Sequence, residues 1–88
     1  MRSSKPARMK GAREAAYLRH VAERIRDQRQ AKGMSRRELA EAAGISDRYV
    51  TQLEFGKANV SILLLRKLAR ALGVPMEHLL GDDTPPRS

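Results

Sequence analysis

The stretch "LAEAAGISDRYVTQLEFGK", residues 39–57, decides the reading of this chain. Two short segments of helical composition, one ending near Ala43 and one starting near Ser46, are separated by Gly44. A residue at positive φ ends a helix sharply, and glycine takes that conformation without steric cost. Gly44 is therefore expected to form a corner, with Ile45 plugging the angle between the two segments. Ser46 is placed to cap the next helix, and Asp47 falls in its first turn, where the positive end of the helix dipole favours a carboxylate. Helices joined this tightly must cross, and their closest approach requires a small residue; Ala40, four residues before Gly44, supplies one.

Val50 and Leu53 then anchor the second segment to a core. The spacing of Ala40, Gly44, Val50 and Leu53 is the pattern of a helix-turn-helix. Upstream, Leu18, Val21, Ala22 and Ile25 recur at i, i+3, i+4 and i+7 and define one face of a first helix ending at Gly33. Ser35 with Glu38 three residues on forms a capping box for the second helix, whose Leu39, Ala40 and Ala43 face inward. Downstream, Gly56 follows the third helix as a cap. Ser61 caps a fourth with Ile62, Leu65, Leu68, Ala69 and Leu72 inward, and Gly73 ends it. Pro75 opens a short fifth helix with Met76, Leu79 and Leu80. The expected fold is all-α, with five helices and no strands.

An 88-residue chain holds one small domain, which buries only about 60% of its unfolded surface and leaves no room for a large active-site cavity. Eighteen Lys and Arg against ten Asp and Glu leave a net charge of +8, a surplus that favours polyanionic partners, with nucleic acid ahead of an anionic membrane. With no cysteine, no disulfide or zinc knuckle supplements the core. No apolar run reaches the ~18 residues that span a bilayer, and "MRSSKPARMKG" (1–11) lacks the apolar stretch of a secretory signal. A cytoplasmic protein is expected. Residues 1–12 carry Arg2, Lys5, Arg8 and Lys10 without an acid and are read as a mobile basic arm. Residues 13–80 are the domain, and 81–88, "GDDTPPRS" from Gly81, a polar tail or linker.

The block from Leu18 to Leu80 resembles the DNA-binding domains of the Cro and phage-repressor family, also called the xenobiotic-response-element (XRE) family. The matching segments are "MSRRELAEAAGISDRYVTQLEFGK" (34–57) and "LARALGVPMEHLL" (68–80). The resemblance implies a compact five-helix, lambda-repressor-like domain with its helix-turn-helix at helices two and three, binding double-stranded DNA as a transcriptional regulator. More narrowly, "GMSRRELA" (33–40), "DRYVTQLE" (47–54) and "NVSILLLRKLARALGVP" (59–75) look like the amino-terminal domain of regulators of aromatic-acid catabolism, benzoate among them. Those regulators carry a C-terminal shikimate-kinase-like effector domain. On that likeness the chain is either a fragment ending in its linker or a stand-alone regulator.

In such a fold the reading helix, residues 46–55, lies in the major groove with its front end at the base edges. Asp47, Arg48, Thr51 and Gln52 share the exposed face opposite Val50 and Leu53. Arg48 suits guanine N7 and O6, Gln52 suits adenine N6 and N7, and Thr51 offers a methyl to thymine. Asp47 either accepts from cytosine N4 or orients Arg48 and caps the helix. Arg36, in the first turn of the second helix, is implied by the resemblance to contact the DNA backbone; Lys57 and Asn59 flank the other side in the following loop. Tyr49 either sends its hydroxyl to a phosphate or packs between helices. The resemblance also aligns Arg29 and Glu54 with a partly buried structural pair tying the first helix to the third.

The basic arm is read either as a further DNA contact or as a charged end, and Phe55 either as a locally packed aromatic or as part of an interface. "ILLL" (62–65) either places Leu63, and with it Leu64, off the inner face, or forms a wide core stripe shared with the fifth helix and the first; a homodimer covering an outward apolar surface would set two reading helices about 34 Å apart on a palindromic operator. An enzyme is disfavoured: His20 and His78 are lone histidines without companions at metal-ligand spacing, and there is no nucleophile–base set or phosphate-cradling glycine loop. No cofactor or metal is expected. The competing class is a protein-interaction module of the same fold, such as an antitoxin, with DNA binding secondary.

Overall fold

The computed structural model describes the backbone of residues 4–80 and the side chains of residues 15–80. Among them are five helices: α1 (Ser4–Ala31), α2 (Arg36–Ala43), α3 (Asp47–Glu54), α4 (Ile62–Leu72) and α5 (Glu77–Leu80), with no strand. Every boundary between α1 and α4 has a local cause. The Gly33 backbone takes φ 68° after α1. Ser35 Oγ accepts from the Glu38 N–H while Glu38 returns a carboxylate to the Ser35 N–H at 2.8 Å, so the capping box at α2 is closed in both directions. Ser46 and Ser61 cap α3 and α4 in the same way, accepting from Tyr49 and Leu64 amides at 3.0 and 3.1 Å.

The core is drawn from every helix. Val21, Ala22 and Ile25 of α1 meet Leu39, Ala40 and Ala43 of α2, Val50 and Leu53 of α3, and Leu79 of α5. From α4 come Leu64, Leu65, Leu68, Ala69 and Leu72. Removing a methylene from such a core is felt, because interiors are packed as densely as organic crystals. α1 backs the assembly, lying against α3, α4 and α5, while α2 sits between α3 and α4. That leaves one side of α3 uncovered.

Three expectations change. The backbone from Ser4 to residue 12, read from sequence as an arm, continues α1 as helix; "KPARMKGAREAA" (5–16) is rich in strong helix formers that carry no apolar periodicity. A helix of 28 residues, at 1.5 Å per residue, is about 42 Å long, which accounts for the 46 Å long dimension of the molecule. Residues 1–3 and the expected tail, 81–88, lie outside the described residues. Within α4, Ile62 is 71% exposed, against its expected inward face, and Leu64 is buried, which agrees with the wide core stripe and not with an outward face. Ile62 is the first residue of α4, at the end of the rod, whereas Leu64 lies one turn before buried Leu68 and shares its side. Pro75 precedes α5, its carbonyl accepting from the His78 N–H at 3.0 Å.

Candidate nucleic-acid interface

The corner at Gly44 places α3. Gly44 adopts φ 74° and ψ 33°, and its N–H reaches back to the Ala40 and Glu41 carbonyls. The Ile45 N–H then bonds the Ala40 carbonyl at 3.0 Å, closing the end of α2 before the chain turns. A Cβ built on Gly44 would meet nothing within 4 Å, so the demand for glycine comes from the backbone angle alone. Two residues later Ser46 opens α3, with the carboxylate of Asp47 at its positive end.

The side chains of α3 then divide by period. Val50 and Leu53 are buried, at 0% and 2% exposure. Asp47, Arg48 and Gln52 are exposed and Thr51 half-exposed, so the four expected base-contacting residues share the outward side of one helix. The Thr51 hydroxyl donates to the Asp47 carbonyl at 3.2 Å, which occupies its proton within the helix and leaves its methyl and its oxygen's acceptor capacity to offer outward. Arg48 and Gln52, one turn apart, supply long hydrogen-bonding arms.

Tyr49 is half-buried against the core, and its hydroxyl donates to the Asn59 carbonyl at 2.9 Å. Of the two expectations for Tyr49, this is the packing one: its one proton is spent on the chain, and a donated phosphate contact would require breaking that bond. The same bond holds the Lys57–Asn59 loop beside the front half of α3, with the Lys57 and Asn59 side chains exposed.

Behind the exposed side of α3, Glu54 gathers two arginines. Arg29 Nε and Nη2 donate to its two carboxylate oxygens at 2.6 and 3.0 Å, and Arg29 Nη1 donates to the Met34 carbonyl at 2.8 Å. Arg36 Nε adds a third bond to Glu54 Oε1 at 3.1 Å. The Glu54 side chain is 1% exposed, and among the described residues no buried side-chain N or O lacks a partner. A buried carboxylate is tolerable only when paired and hydrogen-bonded to this extent. The arrangement joins α1, α2 and α3 at one point.

Two features were not foreseen from sequence. Arg36, expected to face phosphate, is also a ligand of Glu54, and its guanidinium stands over the Phe55 ring at 5.7 Å. Phe55, for which local packing is one of two expectations, is 61% exposed. Both contacts join residues eighteen or more positions apart, beyond any helical period, so no spacing signal announces them.

A family profile described as helix-turn-helix (HTH_3) matches residues 25–79. The HTH-type transcriptional regulator DdrOP3 of Deinococcus deserti is 38% identical over 70 residues, covering 73% of this chain and 54% of that one. The HTH-type transcriptional regulator y4dJ of Sinorhizobium fredii is 37% identical over 59 residues, 65% of this chain and 77% of that one. This chain thus spans about half the length of the first relative and three-quarters of the second. Among solved structures, the restriction-modification controller protein C.AhdI of Aeromonas hydrophila superposes with a TM-score of 0.71 at 39% identity, covering 73% of this chain and 97% of that one. The matched span runs from the last two turns of α1 into α5 and contains the corner, the exposed side of α3 and the carboxylate that braces it. On that span the chain belongs to the Cro/C1-type (XRE) helix-turn-helix family, a family of DNA-binding transcriptional regulators.

Proposed function

We propose that this chain is a sequence-specific transcriptional regulator that lays α3 in the major groove of duplex DNA and acts in the cytoplasm as a homodimer on a palindromic operator. The observation that carries the reading is the division of α3: Arg48 and Gln52 exposed one turn apart at a capped front end, with Val50 and Leu53 sealed into the core behind them. In this reading Arg48, Gln52, Thr51 and Asp47 meet base edges. Arg36, Lys57 and Asn59 meet phosphates, which fix register without reading sequence, while Tyr49 keeps the loop in place. No membrane partner enters this reading, and no helix among the described residues is long and apolar enough to cross a membrane.

Exposed Ile62 and Leu63, at 71% and 61%, support a dimer contact at the start of α4. The narrower resemblance to regulators of aromatic-acid catabolism extends the proposal to an aromatic thioester effector, taken up by a further C-terminal domain. The test is selection of bound duplexes from a random pool at low ionic strength. One consensus with two inverted half-sites a helical turn apart is expected. A pool that stays random after repeated rounds would leave the family fold without this function.

A further inference from the structure

Phe55 stands just past the end of α3, largely exposed, and the interface described above makes no use of it. Its ring lies beneath the Arg36 guanidinium, with the guanidinium carbon 5.7 Å from the ring centroid, inside the ~6 Å over which an aromatic face attracts a cation. The same guanidinium is held at Nε by Glu54 Oε1 at 3.1 Å. Arginine has five N–H donors and a flexible stem whose ordering is costly. Here one donor is tied to a carboxylate and the guanidinium stands over a ring, while the four Nη hydrogens make no bond to a described residue. Arg36 is the first residue of α2, at the helix end whose dipole also favours an anion.

We propose that Phe55 is a positioning residue which, with Glu54, holds the Arg36 guanidinium in one pose before a DNA phosphate arrives. The proposal rests on the DNA-binding reading above. Ordering this side chain in the free protein removes that cost from the binding step, which is how preorganisation raises affinity. Phe55 does not touch the phosphate in this scheme; it acts through Arg36.

Phe55→Leu keeps apolar bulk but removes the aromatic face, and Phe55→Tyr keeps the face. Because the side chain is exposed, both variants should melt with the wild type, as checked by circular dichroism. Affinity for a random-sequence duplex is measured at fixed low salt in the wild-type and Arg36→Ala backgrounds. Phe55→Leu should weaken binding about two- to fivefold, the worth of an exposed cation–π contact, with no sequence preference. Phe55→Tyr should bind as wild type, and Phe55→Leu should add nothing in the Arg36→Ala background. In the DNA-free protein, NMR relaxation at Arg36 Nε should report greater mobility in Phe55→Leu and not in Phe55→Tyr. Wild-type affinity in Phe55→Leu, an equal loss when Arg36 is already alanine, or unchanged Nε mobility would each overturn the proposal alone. A wild-type protein that binds no duplex would overturn the DNA-binding reading, and the proposal with it.

Discussion

Arg48 and Gln52 are the long exposed side chains of α3, and in the proposed reading they make the main base contacts, with Thr51 and Asp47 beside them. Arg48→Ala should therefore cost about 1–3 kcal/mol on the preferred site and relax selectivity at one base pair. Competition binding with single-position operator variants measures this, and intact selectivity would remove Arg48 from the reading set. Arg29 makes the opposite case. It is buried, and Arg29→Met would leave Glu54 inside the protein with Arg36 as its one remaining cation. Breaking a buried pair on one side costs about 3–5 kcal/mol, a large part of the 5–15 kcal/mol that holds a domain together. Thermal denaturation should show that loss in the absence of DNA; a variant that melts with the wild type would show that Arg36 alone suffices.

The caps and corners of the helices were legible because their causes lie within four residues. Ser35 with Glu38, Gly44 with Ala40, Ser46 with Tyr49 and Ser61 with Leu64 are contacts that one helical turn brings about. The inner face of α4 was less legible. Four consecutive apolar residues, Ile62 to Leu65, fit more than one stripe, and the choice is made by where α1 and α2 lie. The start of α1 was missed for the complementary reason, since propensity without periodicity gives no face to detect. At the corner itself, open space around Gly44 isolates the backbone term, so substitutions there should rank by tolerance of positive φ. Asparagine should be the mildest, alanine should lose about 1–2 kcal/mol, and valine more. For a domain of this size each kcal/mol is worth about 4–8 °C in melting temperature. Equal melting of Gly44→Asn and Gly44→Val would mean that the corner does not need its left-handed residue.

Taken together, the chain is a small cationic body, with +8 net charge on 88 residues, presenting the exposed side of α3. Its affinity for DNA should fall steeply with salt, by roughly 0.9 log units per log unit of salt for each phosphate contacted. Lys57→Ala should weaken binding to all duplexes alike and reduce that slope by about one; a loss confined to one sequence would move Lys57 among the base contacts. An interaction module that met DNA only incidentally would show little dependence on duplex sequence at any salt. The long-range bonds that complete the interface, Arg36 to Glu54 and Tyr49 to Asn59, appear once the whole chain is folded, which is why they lie beyond a reading of local spacing.

The carboxylate of Glu54 has a further consequence, because α1, α2 and α3 all end their strongest polar contacts on it. Three helices that share one buried carboxylate are expected to open together, α3 with its neighbours. Native-state hydrogen exchange should find amides of Ile25, Leu39, Val50 and Leu53 opening together, with one free energy and one denaturant dependence. Such joint opening would keep α3 at a fixed angle to its neighbours until the domain as a whole unfolds.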